Sequence, residues 1–263
     1  MAQDTYQQSL DYLYGLEKFG MIFNLTQVER ILNAIGDPHK EIQTIHIGGT
    51  NGKGSTAAMM GSILQKEGYR VGLYTSPHLI RFTERIKVNG KEIEEEEVAA
   101  LAGWVRKEIE ASGILPPFTF FDFTTAMALH YFKQKLVDLA ILEVGLGGRL
   151  DSTNVVDPLI AIITNIAKDH EEYLGKSILK IAQEKAGIIK KGRPLITAAT
   201  QPLALRLFSK VCQGKESPYF RVGKEFRYVR AEDGDFDYEG LNRKLWGIHL
   251  NLKGFHQVIN ATT

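Results

Sequence analysis

The chain has 263 residues, 44% hydrophobic and 24% charged, enough to bury one large core or two small ones and ordinary for a globular protein. A formal net charge of +1 argues against a polyanion-binding protein, since a duplex binder usually shows a concentrated basic face, and the single cysteine, Cys212, excludes an internal disulfide and a cysteine-based zinc site. No apolar run reaches membrane-span length, and Met1-Ala2-Gln3-Asp4 lacks the basic and apolar regions of a secretory signal, so a cytoplasmic protein with no membrane or nucleic-acid partner is expected.

Residues 4–18 place Tyr6, Leu10, Leu13, Tyr14 and Leu16 at roughly helical spacing. Residues 19–25 read as a loop. Thr26 reads as the cap of a second helix that runs to about Ile35 and ends at Gly36-Asp37-Pro38. The apolar run 42–47 is a short buried strand. It leads through Gly48-Gly49-Thr50-Asn51-Gly52-Lys53-Gly54-Ser55 into a helix beginning near Thr56. Residues 69–75 form a second strand, ending in Thr75-Ser76-Pro77-His78-Leu79. Arg85 to Ile93 reads as a hairpin with Asn89-Gly90 at its turn. Helices follow at about 94–112 and 122–135, strands at 138–144 and 159–164, a helix at 177–190 and a strand at 194–198. Continuous apolar strands alternating with helices specify an α/β fold: a mostly parallel sheet covered on both faces. From about 215 to 255 the pattern changes. Phe220-Arg221-Val222, Phe226 to Val229, Phe236-Asp237-Tyr238 and Ile248-His249-Leu250 alternate apolar with polar, which predicts a small antiparallel β subsheet. The last residues, Phe255 to Thr263, open a helix that stops within about a turn and a half, so a truncated chain is expected.

Strand, glycine-rich turn and helix is the context of a phosphate-binding loop. Its glycines let the backbone approach phosphate at positive φ, and Lys53 supplies a mobile cation. The general G-x-x-x-x-G-K-[ST] pattern fits imperfectly. Position 47 is Ile, the residue after Lys53 is Gly54, and the hydroxyl arrives one place late at Ser55. Ser76, Glu143 and His170 follow or end strands, where doubly wound sheets bind ligands. A hydroxyl, a carboxylate and an imidazole beside a triphosphate suit a Mg²⁺ shell completed by phosphate and water. The glycine run Val144 to Asp151 lacks the strand-to-helix step of a dinucleotide fingerprint and reads as a loop passing close to substrate.

Together, Gly49 to Ser55, Thr75 to Leu79, Glu84-Arg85-Ile86, Leu142 to Asp151, Asp169-His170, Glu184-Lys185-Ala186-Gly187-Ile188 and His256 to Ala261 resemble the folylpolyglutamate synthase/dihydrofolate synthase family of the Mur ligase superfamily. The Gly-Lys-Gly-Ser form of the loop is that family's version. The resemblance implies an ADP-forming amide ligase that joins L-glutamate to dihydropteroate, a tetrahydrofolate or another folate through an acyl phosphate, using ATP and Mg²⁺. It implies ATP contacts from Gly49, Thr50, Asn51, Gly52, Lys53, Gly54, Ser55 and Asn260, and metal contacts from Ser76, Glu143 and His170. Lys185 matches the lysine that the family carries as a carbamate. Folate contacts are implied for Phe23, Asn24, Leu25, Thr119, Phe120, Phe121, Asp122, Leu150, Asp151 and Ser152; the family often has Glu where this chain has Asp122. The resemblance thus implies that residues 1–263 correspond to the family's ATP-binding domain, and a monomer is expected, as is a chain that lacks the C-terminal domain supplying the glutamate site. If the 263 residues are the whole molecule, weak ATP binding and little or no ligation are expected.

Three other readings compete, of which a generic P-loop phosphotransferase has no account of the Lys185 motif. A cell-wall ligase acting on a UDP-muramoyl peptide needs a UDP-binding domain before the loop, and only about forty residues precede it. A non-catalytic nucleotide switch leaves the lysine and the metal-site residues without a purpose.

Overall fold

Thr5 opens the first helix as a capping box. Its hydroxyl accepts from the Gln8 backbone N–H (3.2 Å), and the Gln8 side chain accepts from the Thr5 N–H (2.8 Å), satisfying two donors that a helix start leaves orphaned. The computed structural model describes residues 5–232 and 235–263; residues 1–4, read above for a signal, lie outside them. Helix α1 (Tyr6–Gly15) is followed by α2 (Thr26–Ala34), strand β1 (Thr44–Gly48), α3 (Lys53–Lys66) and β2 (Val71–Tyr74). The hairpin β3 (Ile86–Val88) and β4 (Lys91–Glu92) turns at Asn89 and Gly90, both at positive φ (48° and 75°), as a two-residue hairpin loop requires. Then come α4 (Glu95–Ala111), α5 (Phe120–Gln134), β5 (Leu139–Glu143), β6 (Ile160–Ile163), α6 (Glu171–Leu174), α7 (Ile178–Ala186), β7 (Leu195–Thr197), α8 (Pro202–Gly214) and β8 (Tyr219–Arg221). Strands β9 (Phe226–Glu232), β10 (Asp235–Gly240) and β11 (Arg243–His249) precede α9 (Phe255–Thr262).

The chain divides into two units. The first runs to Thr44 and takes in Gly61–Leu146 and Leu150–Asp157. Its strands lie in the order β4-β3-β2-β5, with β2 and β5 parallel and the hairpin antiparallel. Leu13, Ile31, Leu32, Phe82, Phe123, Met127 and Phe132 fill its core. Gly72 on β2 lies under the Phe132 ring, where a Cβ would come within 2.7 Å.

The second unit comprises Ile45–Met60, Gly147–Arg149 and Pro158 onward. Here β1, β6, β7 and β8 are neighbours in that order and all parallel, with Ile47 opposite Ile162, Ile163 opposite Thr197, and Thr197 opposite Arg221. β1 is buried at every position, as a strand covered on both faces must be. A separate antiparallel sheet orders β11-β10-β9, and Phe255 of α9 meets Tyr228 of β9 edge-on at 5.5 Å.

Five sequence expectations need correction, the first being that the helix expected to begin near Thr56 begins at Lys53. Phe220-Arg221-Val222 does not join the antiparallel subsheet; Tyr219–Arg221 is the parallel edge strand β8. A three-residue alternation cannot tell the two apart, and the preceding helix α8, which the sequence reading did not assign, is the crossover that makes the pairing parallel. Thr26 is the first helical residue of α2, not its cap, and its N–H is taken by Asn24 Oδ1 (3.0 Å), a forward turn typical of Asn. The helix expected to start at 122 starts at Phe120, because Thr119 caps it and Asp122 completes the capping box. The helix expected over 177–190 ends at Ala186, before Gly187. No helix among the described residues is long and apolar enough to cross a membrane.

Candidate active site

β1 delivers the chain into the glycine-rich loop with no room for side chains. Gly49 has φ 139°, and a Cβ there would lie 1.9 Å from Thr164 Oγ1. Thr164 exploits the close approach by donating its hydroxyl to the Asn51 carbonyl (2.7 Å). The segment after β6 continues the bracing. The Thr50 N–H donates to the Asn165 carbonyl (3.0 Å) and the Asn51 N–H to Asn165 Oδ1 (2.9 Å). Thr50 Oγ1 donates to the Ala167 carbonyl (3.2 Å) and accepts from the Ala167 N–H (3.1 Å). Residues 164–167 therefore fix the loop's backbone, a role the sequence reading missed. Its signal was a hydroxyl and an amide directly after an apolar strand.

Lys53 is the first residue of α3, and its Nζ donates to the Thr50 carbonyl (3.3 Å), which holds the ammonium over the loop. Gly54 and Ser55 are half-buried in the same first turn, where the helix N-terminus adds partial positive charge. Gly52 has φ 81°, and a Cβ on it would meet Asn260 Oδ1 at 2.3 Å. Asn260 is buried on α9 and donates from Nδ2 to Gln257 Oε1 (3.0 Å). The expected adenine contact thus lies directly on the phosphate loop.

Lys185 is only 3% exposed, and its Nζ donates to the Gly49 carbonyl at 2.9 Å. It is not a solvated helix lysine. Two glycines let α7 come close enough. A Cβ on Gly148 (φ 155°) would lie 2.9 Å from the Glu184 carbonyl oxygen, and one on Gly187 would lie 2.3 Å from Arg149 Cα. The Arg149 N–H donates to the Glu184 carbonyl (2.8 Å), and its guanidinium pairs with the Glu184 carboxylate (3.0 Å). Residues 147–149 of the glycine run, expected beside substrate, therefore pack on α7 and seat its lysine. His46 on β1 is fully buried, and burial pushes its imidazole down to about 3, so it is neutral. His170 is the exposed N-cap residue of α6 at φ 45°, with Nε2 3.5 Å from Asp169 Oδ1.

In the first unit, parallel pairing sets the ends of β2 and β5 side by side, and the Ser76 N–H donates to Glu143 Oε2 (3.3 Å). The loop beyond Ser76 wraps the Glu84 carboxylate, which accepts from the N–H groups of Leu79 (2.8 Å), Ile80 (2.9 Å) and Arg81 (2.7 Å). The Leu79 and Arg81 bonds in particular hold that carboxyl down at about 2. Arg85 Nε donates to His78 Nδ1 (2.8 Å), and its guanidinium lies 5.0 Å from the centre of the Phe120 ring, which stacks on Tyr14. Phe121 stacks on Tyr74 and covers Gly145, where a Cβ would come within 2.7 Å of its ring.

Asp122 is buried and already accepts from the Thr119 N–H (2.8 Å), the Thr119 hydroxyl (2.9 Å) and the Ser152 hydroxyl (2.7 Å). It serves first as the capping-box partner of Thr119 at the start of α5. Asp151 accepts from the Leu146 N–H (2.8 Å), the Thr153 N–H (3.0 Å) and the Thr153 hydroxyl, while burial raises its carboxyl above the usual range. Leu150, Asn24 and Leu25 are half-buried and Phe23 is exposed. Thr119, Asp122 and Ser152 thus form one cluster, with Phe120 and Phe121 between Thr119 and Asp122 in the first turn of α5. Among the described residues, no three His, Cys, Asp or Glu side chains stand together as a ready metal cage.

Residues 47–263 match the family described as the Mur ligase middle domain. The chain belongs to the Mur ligase family. The matched span of this Mur ligase domain contains the whole phosphate loop, its 164–167 brace, Lys185 and Asn260. A curated relative, the dihydrofolate synthase/folylpolyglutamate synthase of Bacillus subtilis, is 45% identical over 98% of the chain. An FPGS solved as its AMPPCP–folate complex superposes with a TM-score of 0.93 at 33% identity, covering 98% of this chain and 65% of that one. E. coli FolC, solved with DHPP and ADP, gives 0.86 at 35% identity, covering 98% and 62%. The Mur ligase chain described here spans 61% of the length of the Bacillus subtilis relative.

Proposed function

We propose that this chain carries the ATP-binding part of an ADP-forming ligase that joins L-glutamate to the carboxylate of dihydropteroate or a folate. The observation that carries the reading is Lys185, buried in α7 with its amine on the Gly49 carbonyl of the phosphate loop. A generic phosphate loop needs no such group. The Bacillus subtilis relative is a dihydrofolate synthase/folylpolyglutamate synthase, and two related structures hold AMPPCP with folate and ADP with DHPP, which supports the same reading.

Gly49 to Ser55 would hold the phosphates through backbone N–H groups and Lys53, and Asn260 would meet the adenine. A carboxylate and an amine are poor partners at neutral pH. Phosphoryl transfer from ATP to the carboxylate supplies a leaving group, and cations gathered around the transferring phosphoryl neutralise its charge. Mg²⁺ would supply part of that neutralisation when bound. Ser76, Glu143 and His170 are its proposed protein ligands. A hydroxyl, a carboxylate and an imidazole suit Mg²⁺, which takes one or two carboxylate contacts and leaves its other positions to phosphate and water, and the Ser76 backbone N–H on Glu143 Oε2 (3.3 Å) supports the Ser76–Glu143 part of the set. Lys185 as a carbamate would present an oxygen in place of an ammonium that cations repel. For the pterin we propose Phe23, Asn24 and Leu25, with Thr119 to Asp122 and Leu150 to Ser152. The half-buried Phe121 offers a flat ring, Phe120 is buried against Tyr14 and Arg85, and Ser152 is held in place by Asp122. A cytoplasmic location would give access to these substrates.

ADP release by the native protein tests the reading. Release should require a pteroate or folate together with L-glutamate, and a UDP-muramoyl peptide should not replace the folate. ADP release indifferent to every pterin would sink the proposal.

A further inference from the structure

Helix α8 and the edge strand β8, both in the second unit, leave a groove of about 400 Å³ between them. None of its lining residues belongs to the phosphate loop, to the 164–167 brace or to the folate residues proposed above. Pro202, Leu205 and the ring of Tyr219 give it apolar walls. Three cations line it as well: Arg206 on α8, Arg221 on β8 and Lys224 just beyond.

These cations are not equivalent. Lys224 Nζ lies 2.7 Å from Glu225 Oε1, and Glu225 Oε2 accepts from the Arg221 backbone N–H (2.8 Å), so the Glu225 carboxylate is committed to Lys224 and to the main chain. Among the described residues, neither the Arg206 nor the Arg221 guanidinium makes a hydrogen bond or an ion pair. Burial lifts the Tyr219 hydroxyl to about 12, so it stays neutral and adds no competing negative charge.

An arginine free in bulk water says little. Two of them lining one apolar groove of ligand size say more. The space falls within the range of roughly 300–1,000 Å³ typical of small-molecule sites. A guanidinium fork matches the two oxygens of a carboxylate or phosphate, and is less hydrated than an ammonium. A flat apolar body would cover Leu205 and the Tyr219 ring, displacing water from both.

We propose that the α8–β8 groove binds a small organic anion, with a flat apolar body on Leu205 and Tyr219 and a carboxylate or phosphate head held by Arg206 and Arg221. This site is separate from the nucleotide reading and does not rest on it.

An amide-resolved NMR titration of the ¹⁵N-labelled chain tests the proposal. The probes are 4-aminobenzoyl-L-glutamate, an aromatic dicarboxylate, and phenyl phosphate, an aromatic phosphate. Inorganic phosphate and benzyl alcohol are the controls. At least one aromatic anion should shift resonances across 202–224 with a Kd of about 0.1–1 mM, the scale of a few shielded polar contacts. Which of the two binds more tightly identifies the head group. The double variant Arg206→Ala/Arg221→Ala should weaken binding by about tenfold or more, with far-UV dichroism and melting temperature unchanged. Saturating AMPPCP should leave the titration as it was. Four results would each overturn the proposal: no shift with either aromatic anion at about 10 mM, undiminished binding by the double variant, inorganic phosphate as tight as phenyl phosphate, or displacement by AMPPCP.

Discussion

Replacing Gly49 with alanine tests how tightly the phosphate loop is bound to its brace. The new Cβ would lie 1.9 Å from Thr164 Oγ1 and 3.1 Å from both Thr164 Cβ and the Thr164 backbone nitrogen, at φ 139°. The hydroxyl cannot remain, so its 2.7 Å bond to the Asn51 carbonyl is lost. Forced backbone conformation costs about 1–3 kcal/mol, overpacking about 1–3, and the hydrogen bond about 0.5–1.5. A loss of roughly 3–6 kcal/mol in unfolding free energy is expected, along with weaker AMPPCP binding. Thr164→Ala alone should cost only about 1 kcal/mol, because it removes a hydrogen bond without a clash. In the double variant the clash is relieved. Urea unfolding of all four proteins should therefore show the double variant losing less than the sum of the singles, by about 1 kcal/mol or more. Strict additivity would mean that Gly49 and Thr164 do not compete for the same space, and the account of the brace would fail.

The Glu84 carboxyl is held down at about 2 by loop N–H groups, so its bonds to Leu79, Ile80 and Arg81 are fully present above the unfolded value near 4.5 and vanish as pH falls through about 2. Amide shifts of 79–81 should follow that low midpoint in native protein and lose their carboxylate dependence in Glu84→Gln; a midpoint near 4.5 would contradict the cradle. His46 is held neutral to about 3 by burial, so its contribution to stability is complete above the unfolded value of 6.5 and declines as pH drops below it. Between pH 6.5 and 5 the native protein should lose about 2 kcal/mol more than His46→Leu in urea unfolding, and parallel curves for the two would refute the assignment.

Much of the fold could be read from local pattern. β1 and β5 are five-residue runs buried throughout; Leu139 to Leu142 of β5 is continuously apolar, whereas β1 carries Thr44 and His46 between its apolar residues and was legible mainly through the glycine-rich turn that follows it. Asn89-Gly90 announced its hairpin because a primed turn needs two positive φ values. Phe220 was misplaced because three alternating residues carry no information about their partner; only α8, docked on α7, makes β8 parallel. The loop itself stood out through its glycines. Thr164, Asn165 and Ala167 did not, since they brace it from more than a hundred residues away. Lys185 shows the same limit. Its place on a helix was predicted, but its burial depends on Gly148 and Gly187 admitting neighbouring backbone, a tertiary fact with no local signature. Asp122 shows that one residue can answer two patterns: a position expected at a ligand also completes a helix capping box.

Lys185 offers the most direct test of the ligase reading. In the native protein, Lys185→Ala should lower ATP turnover by about 100-fold or more, the scale of losing one electrostatic partner of the transition state. AMPPCP binding, carried by the backbone of Gly49 to Ser55 and by Lys53, should change by no more than about threefold, within the worth of one modest contact. Equal losses of turnover and binding would contradict the account, because Lys185 would then be no more than a strut beneath the loop.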